Sequence, residues 1–446
     1  MTKRGNQNKR RGDRGVRPLA PSDAPLQLVE IEKPIYGGAF LARVEGKAVF
    51  VPLTLPGEQA RVRTVVEKRG YATAEAEEIV KQAAERTTPT CRHFGTCGGC
   101  NYQHAEYAAQ LTFKEAILRE TLERGGVKAP DEMTVLAGKS WAYRNRIRLA
   151  FDAQGNLGYR GRRSHAVIAI EECPIAAPLL VRAALAAGKL FREPRLRLRA
   201  SEVALFCDAE EKGLLVGVTA AGGGKGALEE FATALAERTP ELKGAELSIE
   251  DRKEGLTRRV AGWGASSLPY LAAGFKYRVD QGAFFQVNRW LVDGLAEYVT
   301  RGNEGKLAWD LFAGVGLFAR KLAGKFDCVI AVESALAAVS ALEENLRETT
   351  AIAVCATTLD FLRKSRNGER PDLIVLDPPR TGLGAETTAL LGEIGAPALT
   401  YVSCDPATLA RDLRALIDSG YAIEEIALAD LFPQTFHLET VVRLRH

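Results

Sequence analysis

Three closely spaced thiols are the first residues in this chain with evident chemistry. Cys91, Cys97 and Cys100 lie in CRHFGTCGGC, spaced C-x5-C-x2-C. Eight cysteines in 446 residues are too few for a disulfide scaffold. Thiolates this close together suit a metal ion or an iron–sulfur cluster instead. Either needs a fourth ligand, and Cys173 in EECPI is the best candidate. His93 and His104 are alternative ligands for zinc. Gly98 and Gly99 fit a loop wrapped tightly around such a site, where amides can donate to sulfur. Spacing alone does not separate zinc from iron–sulfur. Cys207, Cys328 and Cys355 sit in apolar runs and read as core filler.

The eighth cysteine has a different setting. Cys404, in YVSCDPATLARDL, follows an apolar strand and precedes a helix that Pro406 can start. A thiolate at a helix N-terminus is stabilised by the dipole, so Cys404 is a candidate nucleophile. In the terminal DLFPQTFHLETVVRLRH, His437 and Glu439 alternate with apolar residues, which predicts one face of a final strand. A carboxylate such as Glu439 beside a cysteine nucleophile suits proton abstraction.

A cofactor pocket is written upstream. WDLFAGVGLFAR puts Gly314 and Gly316 at a strand exit with a helix following. Glu333 ends the next strand, 17 residues beyond Gly316, where a carboxylate can accept hydrogen bonds from ribose hydroxyls. Asp360, after AVCATTL, is a weaker candidate of the same kind. This pattern admits a dinucleotide or S-adenosylmethionine. DLIVLDPPR, with Asp377, favours the latter, because a D-P-P loop after an apolar strand has no role in dinucleotide binding.

The elements that must position these residues fall into segments. Residues 1–24 form a basic tail expected to be disordered. Residues 1–18 hold seven Lys/Arg and one Asp, leaving 53 basic against 55 acidic residues in the rest. The tail therefore carries the whole +4 excess, as a polyanion tether would. Residues 25–85 contain five short β-rich runs punctuated by Gly37-Gly38, Glu45-Gly46 and Pro56-Gly57, an OB-type barrel. Residues 86–280 form a central α+β domain with the cysteine loop. Within it, helical periodicity over 105–124 stops at Gly125-Gly126 and offers a face to the catalytic domain. Residues 281–446 alternate strands and helices, the rhythm of a Rossmann-like, doubly wound parallel sheet. Arg144, Arg146 and Arg148 on one strand, and Arg160, Arg162 and Arg163 on a hairpin, are expected to meet RNA. No run of 18 uncharged apolar residues and no secretory signal is present, so a cytoplasmic α/β protein without a membrane partner is expected. Nothing points to an obligate protein partner.

Taken together, these segments resemble the RNA 5-methyluridine methyltransferase family over residues 28–444. The barrel resembles a TRAM domain through Gly37-Gly38 and FVPLTLPGE, and CRHFGTCGGCNYQH resembles the family's iron–sulfur loop. FFQVN, DLFAGVGLF, DPPR, SCDPATLARDL and FPQTFHLE follow in the family's order. The resemblance implies a [4Fe-4S] cluster on Cys91, Cys97, Cys100 and Cys173. It implies S-adenosylmethionine contacts at Gln286, Phe312, Glu333, Asp360 and Asp377, with Asp377 also facing the target base. It implies Cys404 as nucleophile, Glu439 as base, and RNA as substrate, with 23S rRNA first and the tRNA T-loop as the alternative. A non-catalytic iron–sulfur RNA-binding protein is the competing reading. Asp405 replaces the family's usual Asn and is expected to raise the Cys404 pKa. Leu317 replaces a residue that is polar in many members.

Overall fold

A computed structural model describes residues 17–18, 25–193, 196, 198–251 and 256–446. The basic tail lies outside them except for Arg17–Pro18. The chain forms two compact units: one runs to Thr88 and includes His104–Glu106, the other comprises Pro89–Gln103 and Tyr107–His446.

The first unit is a closed barrel. Its strands are β1 (Arg17–Pro18), β2 (Leu26–Ile35), β3 (Ala39–Val44), β4 (Lys47–Pro52), β5 (Gln59–Glu67) and β6 (Tyr71–Lys81). They follow the order β1-β5-β2-β3-β4-β6, and a β5–β6 pairing closes the ring. β1 pairs with β5 through Arg17 and Pro18, so the tail expected to lack structure has one short paired segment. Alternating residues such as Val29, Ile31, Ala60 and Val62 fill the interior. Glu58 is fully buried and accepts from Arg86 Nη2 at 2.8 Å and from the Leu55 amide at 2.7 Å. His104 is also buried in this unit, with Nε2 3.0 Å from the Thr54 carbonyl oxygen.

The second unit begins with the cysteine loop and then α1 (Tyr107–Arg124) and β7 (Thr134–Leu136). A seven-stranded sheet follows: β8 (Arg146–Phe151), β9 (Leu157–Arg160), β10 (Val167–Ala169), β11 (Ala200–Cys207), β12 (Leu214–Ala220), β13 (Leu242–Asp251) and β14 (Leu256–Gly264). Its order is β10-β9-β8-β11-β12-β13-β14. It packs on α2 (Pro178–Leu190) and α3 (Lys225–Arg238) around Leu180, Val203, Phe231 and Leu247. The hairpin β15 (Ser267–Ala272) and β16 (Phe275–Asp280) leads onward.

The C-terminal sheet carries the site. α4 (Val292–Thr300) precedes β17 (Gly305–Leu311), α5 (Leu317–Leu322), β18 (Phe326–Glu333), α6 (Leu336–Leu346), β19 (Ala351–Cys355) and α7 (Thr358–Ser365). Then come β20 (Leu373–Leu376), α8 (Ala385–Ile394), β21 (Ala398–Ser403), α9 (Pro406–Asp418), β22 (Ala422–Ala429) and β23 (Glu439–Arg445). The order is β19-β18-β17-β20-β21-β23-β22-β7. The first five strands are parallel, and the central ones are buried on both faces, as Leu373–Leu376 shows by being apolar and inaccessible throughout.

The sheet is not parallel throughout, as the alternation had suggested: β23 inserts antiparallel between β21 and β22. The helix after the cysteine loop does offer its face to the C-terminal sheet, and the strand that follows it joins that sheet. β7 pairs with β22, and Leu118, Leu122 and Val127 share a core with Trp309, Leu409 and Leu413. Burial of that apolar face outweighs adjacency in sequence. The three presumed core cysteines differ as well: Cys207 is buried, Cys328 is partly buried, and Cys355, last in an edge strand, is exposed.

Candidate active site

The carboxyl ends of the parallel strands open on one cavity of about 660 Å³. Phe312 and Gly314 follow β17, Glu333 ends β18, Asp377 follows β20, Cys404 follows β21, and Glu439 starts β23. Gln286 joins them from the segment before α4. A parallel sheet delivers all its strand ends to one edge, so residues far apart in sequence meet there.

The turn after β17 is shaped for a ligand. Phe312 takes φ 66°, a left-handed conformation uncommon for a bulky residue, and Gly314 follows at φ 56°. A Cβ at Gly314 would meet nothing within 4 Å, so the backbone leaves open space there. At Gly316, φ 88°, a Cβ would fall 2.8 Å from Leu342, so close helix packing requires glycine. Glu333 is held as a carboxylate acceptor. Its Oε2 receives the Gly314 amide at 2.9 Å, and its Oε1 receives those of Ser334 and Ala335 at 2.7 Å each. Leu317 is buried beside this turn.

Asp360 is not among the cavity residues. It stands in the first turn of α7, where its Oδ2 accepts from Thr357 Oγ1 at 2.7 Å and its amide donates to the same oxygen at 3.1 Å. Its carboxylate completes a helix cap and is exposed to solvent.

Acidic groups crowd the cavity. Burial pushes Asp377 up to about 7, and Gln286 Nε2 donates to its Oδ2 at 3.4 Å. Burial, and then the neighbouring Asp377, hold Glu439 well above the carboxylate range. Asp310, behind the turn, is pushed up to about 8 by burial, although Oδ2 accepts the Ala319 amide at 2.8 Å. Burial and the charges of Glu439 and Asp377 push the Cys404 thiol up to about 12.

That reverses the direction expected from a helix N-terminus. The free amides of α9 are already taken: Asp405 Oδ1 accepts from Ala407 at 3.1 Å and Thr408 at 2.9 Å. Asp405 therefore acts as a helix cap. The carboxylates that raise the thiol are Glu439 and Asp377.

Arg380, directly after Asp-Pro-Pro, is the residue whose role the sequence obscured. Its charge opposes the upward shifts of both Cys404 and Glu439. Its Nη2 lies 3.2 Å from His437 Nδ1. Guanidinium can only donate, so Nδ1 accepts and the His437 proton sits on Nε2. Burial and then Arg380 push His437 down to about 4, so it stays neutral. His437 does not share a strand with Glu439. It lies in the loop before β23 that starts at Asp430, and both residues line the cavity.

The four clustered cysteines meet elsewhere in the same unit. Cys91, Cys97, Cys100 and Cys173 line one cavity of about 420 Å³ with His93, Arg144, Arg146 and Tyr159. The Gly99 amide donates to Cys97 Sγ at 3.4 Å, and Tyr159 Oη donates to Cys173 Sγ at 3.6 Å. A Cβ at Gly98 would stand 3.0 Å from the Arg160 carbonyl oxygen. His93 Nε2 accepts the Glu171 amide at 3.2 Å. Among the described residues, no three His, Cys, Asp or Glu side chains form a group that could hold a metal ion.

Of the arginines expected to meet RNA, Arg144, Arg146 and Arg148 line this cavity. Arg146 donates to the Ala283 carbonyl oxygen at 2.5 Å, and burial pushes it down to about 10. Arg148 lines the same cavity but is largely exposed and pairs with Glu202 at 3.3 Å. Arg160, Arg162 and Arg163 do occupy the β9–β10 hairpin.

Comparison with known proteins places this architecture. Residues 265–446 match the tRNA (Uracil-5-)-methyltransferase family, and residues 26–76 match the TRAM domain. An uncharacterized RNA methyltransferase of Streptomyces avermitilis is 34% identical over 93% of this chain and 97% of its own length. The 23S rRNA (uracil(1939)-C(5))-methyltransferase of Halomonas elongata is 33% identical over 98% of this chain and 93% of its own. The solved tRNA (uracil-54, C5)-methyltransferase of Pyrococcus abyssi, in complex with S-adenosyl-L-homocysteine, shares the fold with a TM-score of 0.74. It is 23% identical over 93% of this chain and 100% of that one. No helix among the described residues is long and apolar enough to cross a membrane. A barrel matching TRAM, a catalytic sheet matching the uracil-5 enzymes, and relatives aligned end to end lead to one conclusion: the chain belongs to the RNA 5-methyluridine methyltransferase family.

Proposed function

We propose that this protein methylates carbon 5 of a uridine in 23S rRNA, through a covalent adduct between Cys404 and uracil. The observation that carries the reading is the single cavity gathering Cys404, Glu439 and Asp377 with Gln286, Phe312 and Glu333. The relatives named for 23S rRNA in Halomonas elongata and Chromohalobacter salexigens, each 33% identical, favour rRNA.

Gln286, Phe312, Glu333 and Asp377 are the residues assigned to S-adenosylmethionine. The open space over Gly314 and the carboxylate of Glu333 fit such a ligand. When bound, it supplies an electrophilic methyl group on a sulfonium. Carbon 5 of uracil is a poor nucleophile, and Cys404 corrects this. Once its thiol proton has passed to solvent, the thiolate adds to carbon 6, the electrons of the 5,6 double bond move into an enolate, and carbon 5 takes the methyl as the methyl–sulfonium bond breaks and leaves a neutral thioether. Glu439 then takes the proton left on carbon 5. In its ionised form it is a stronger base than an exposed carboxylate, because burial holds its pKa above the usual range. The double bond re-forms as the carbon–sulfur bond breaks and releases Cys404. In this reading Asp377 binds the base edge, and Arg380 offsets negative charge. The target must leave any stack to reach this cavity.

We assign Cys91, Cys97, Cys100 and Cys173 to a [4Fe-4S] cluster with a structural role. Four thiols around one cavity, with amide and hydroxyl donors to sulfur, fit its donor chemistry. Mass-spectrometric mapping of 5-methyluridine in rRNA and tRNA from a deletion strain tests the substrate. Loss at one rRNA uridine is expected; loss in the tRNA T-loop would replace rRNA with tRNA.

A further inference from the structure

The loop 430–438 between β22 and β23 carries Phe432 and His437 into the catalytic cavity. It has no regular structure of its own, yet five consecutive carbonyl oxygens are each met by a donor from elsewhere in the unit. Asn288 Nδ2 donates to Asp430 and Leu431, the latter at 3.2 Å. Lys114 Nζ donates to Phe432 at 2.9 Å, and Tyr143 Oη donates to Pro433 at 3.0 Å. The amides of Asn101 and Tyr102, directly after the cysteine motif, both donate to Gln434, at 2.9 and 3.0 Å.

Side chains reinforce these contacts. Lys114 Nζ is 2.6 Å from Asp430 Oδ1, and both side chains are fully buried. Tyr107 Oη donates to the other Asp430 oxygen at 2.8 Å. Gln110 and Gln434 form a reciprocal pair: Gln110 Nε2 donates to Gln434 Oε1, and the Gln434 amide donates to Gln110 Oε1, each at 2.9 Å. Gln434 takes φ 67°, a strained conformation that persists only where the surroundings over-determine it. A buried ion pair is a poor source of net stability, so specifying one loop conformation is the more economical account of Lys114 and Asp430.

We propose that Gln110 and Lys114 on α1 are positioning residues for the reaction. They fix the 430–438 loop so that His437 holds Arg380 against the cavity containing Cys404 and Glu439. Neither residue lines that cavity. The proposal rests on the assignment of the cavity as the methylation site. The charged groups acting on Cys404 are Glu439, Asp377 and Arg380. Freeing Arg380 therefore leaves the thiol facing two carboxylates with less compensation.

The test is single-turnover methyl transfer to RNA across pH 6–9 by the full-length Gln110→Leu and Lys114→Met variants. Gln434→Gly, which tolerates the left-handed backbone, serves if these do not fold. At pH 7 the rate is expected to fall by up to about 10²-fold, the cost of a small misplacement. The deficit should be constant across this range, because a thiol pushed up to about 12 titrates above it in both proteins, and alkylation of Cys404 by iodoacetamide, which reads thiolate directly, should slow by the same factor. S-adenosylmethionine affinity and iron content should stay within twofold of the wild type. An unchanged methyl-transfer rate, or a fall that leaves Cys404 alkylation unchanged, overturns the proposal. Cys404→Ala separates the two levels. If that variant still methylates, the assignment of the cavity has failed. If it is inactive while the α1 variants are unimpaired, only the positioning role has failed.

Discussion

Replacing Asp377 by Asn should stabilise the ligand-free protein at neutral pH while abolishing methylation. The carboxyl is held at about 7 by burial, against 3.8 in an exposed chain. A folded pKa above the unfolded one favours the protonated fold. The associated stability is fully present below about pH 4 and is lost as pH rises through 7. Each tenfold step in acidity is worth about 1.4 kcal/mol, so the full displacement is worth roughly 4 kcal/mol. The side chain lines an open cavity, so solvent screening halves this to ~2 kcal/mol as the working figure. The second unit has about 355 residues, and unfolding entropy of about 2.1 cal/mol/K per residue converts this to roughly 3 °C. Asn keeps an oxygen for the Gln286 amide, so the contact at 3.4 Å survives. Calorimetry of both proteins without cofactor, at pH 4 and pH 8, is the assay. Equal melting at pH 4 and a more stable variant at pH 8 are expected. Parallel curves at both values would show that the carboxyl is not desolvated, and the ordering of acids in the cavity would have to be redrawn.

Three further outcomes follow from the same structure. Gly314→Val puts a branched side chain into the open space at a left-handed position, so S-adenosylmethionine affinity should drop at least tenfold by calorimetric titration while RNA binding persists. Anaerobically purified protein should be brown with about four irons; Cys173→Ser should lower that content and loosen the central sheet, whereas colourless protein with one zinc would contradict the cluster. Deleting residues 1–18 should weaken RNA binding evenly across sequences and flatten its salt dependence, by up to about 0.7 in slope per lost phosphate contact; a changed target site would contradict a tether.

Much of the site was legible in the sequence because strand ends of a parallel sheet share one edge. Gly314, Glu333, Asp377 and Cys404 each follow an apolar run, and that pattern alone predicts their meeting. Three features were not legible, each for a physical reason. His437 alternates like a strand residue, but Pro433 and the left-handed Gln434 belong to a loop held by distant donors. Asp405 reads as a carboxylate beside a thiol, yet its geometry spends it on two helix amides. Arg144, Arg146 and Arg148 read as an exposed basic stripe; nothing local in the sequence shows that they line the cysteine cavity.

The central claim is that Cys404 begins the reaction and Glu439 ends it, and trapping the intermediate tests this most directly. Each variant is incubated with RNA and methyl-labelled S-adenosylmethionine and resolved by denaturing electrophoresis. Cys404→Ala should give neither adduct nor methylated RNA. Glu439→Gln should still add to carbon 6 and accept the methyl, then stall as a labelled protein–RNA adduct, with cofactor affinity little changed. If Glu439→Gln instead slows methyl transfer and leaves no labelled adduct, Glu439 only shapes the cavity. An ordered water would then be the next candidate for the base, because His437 is tied to Arg380 through Nδ1.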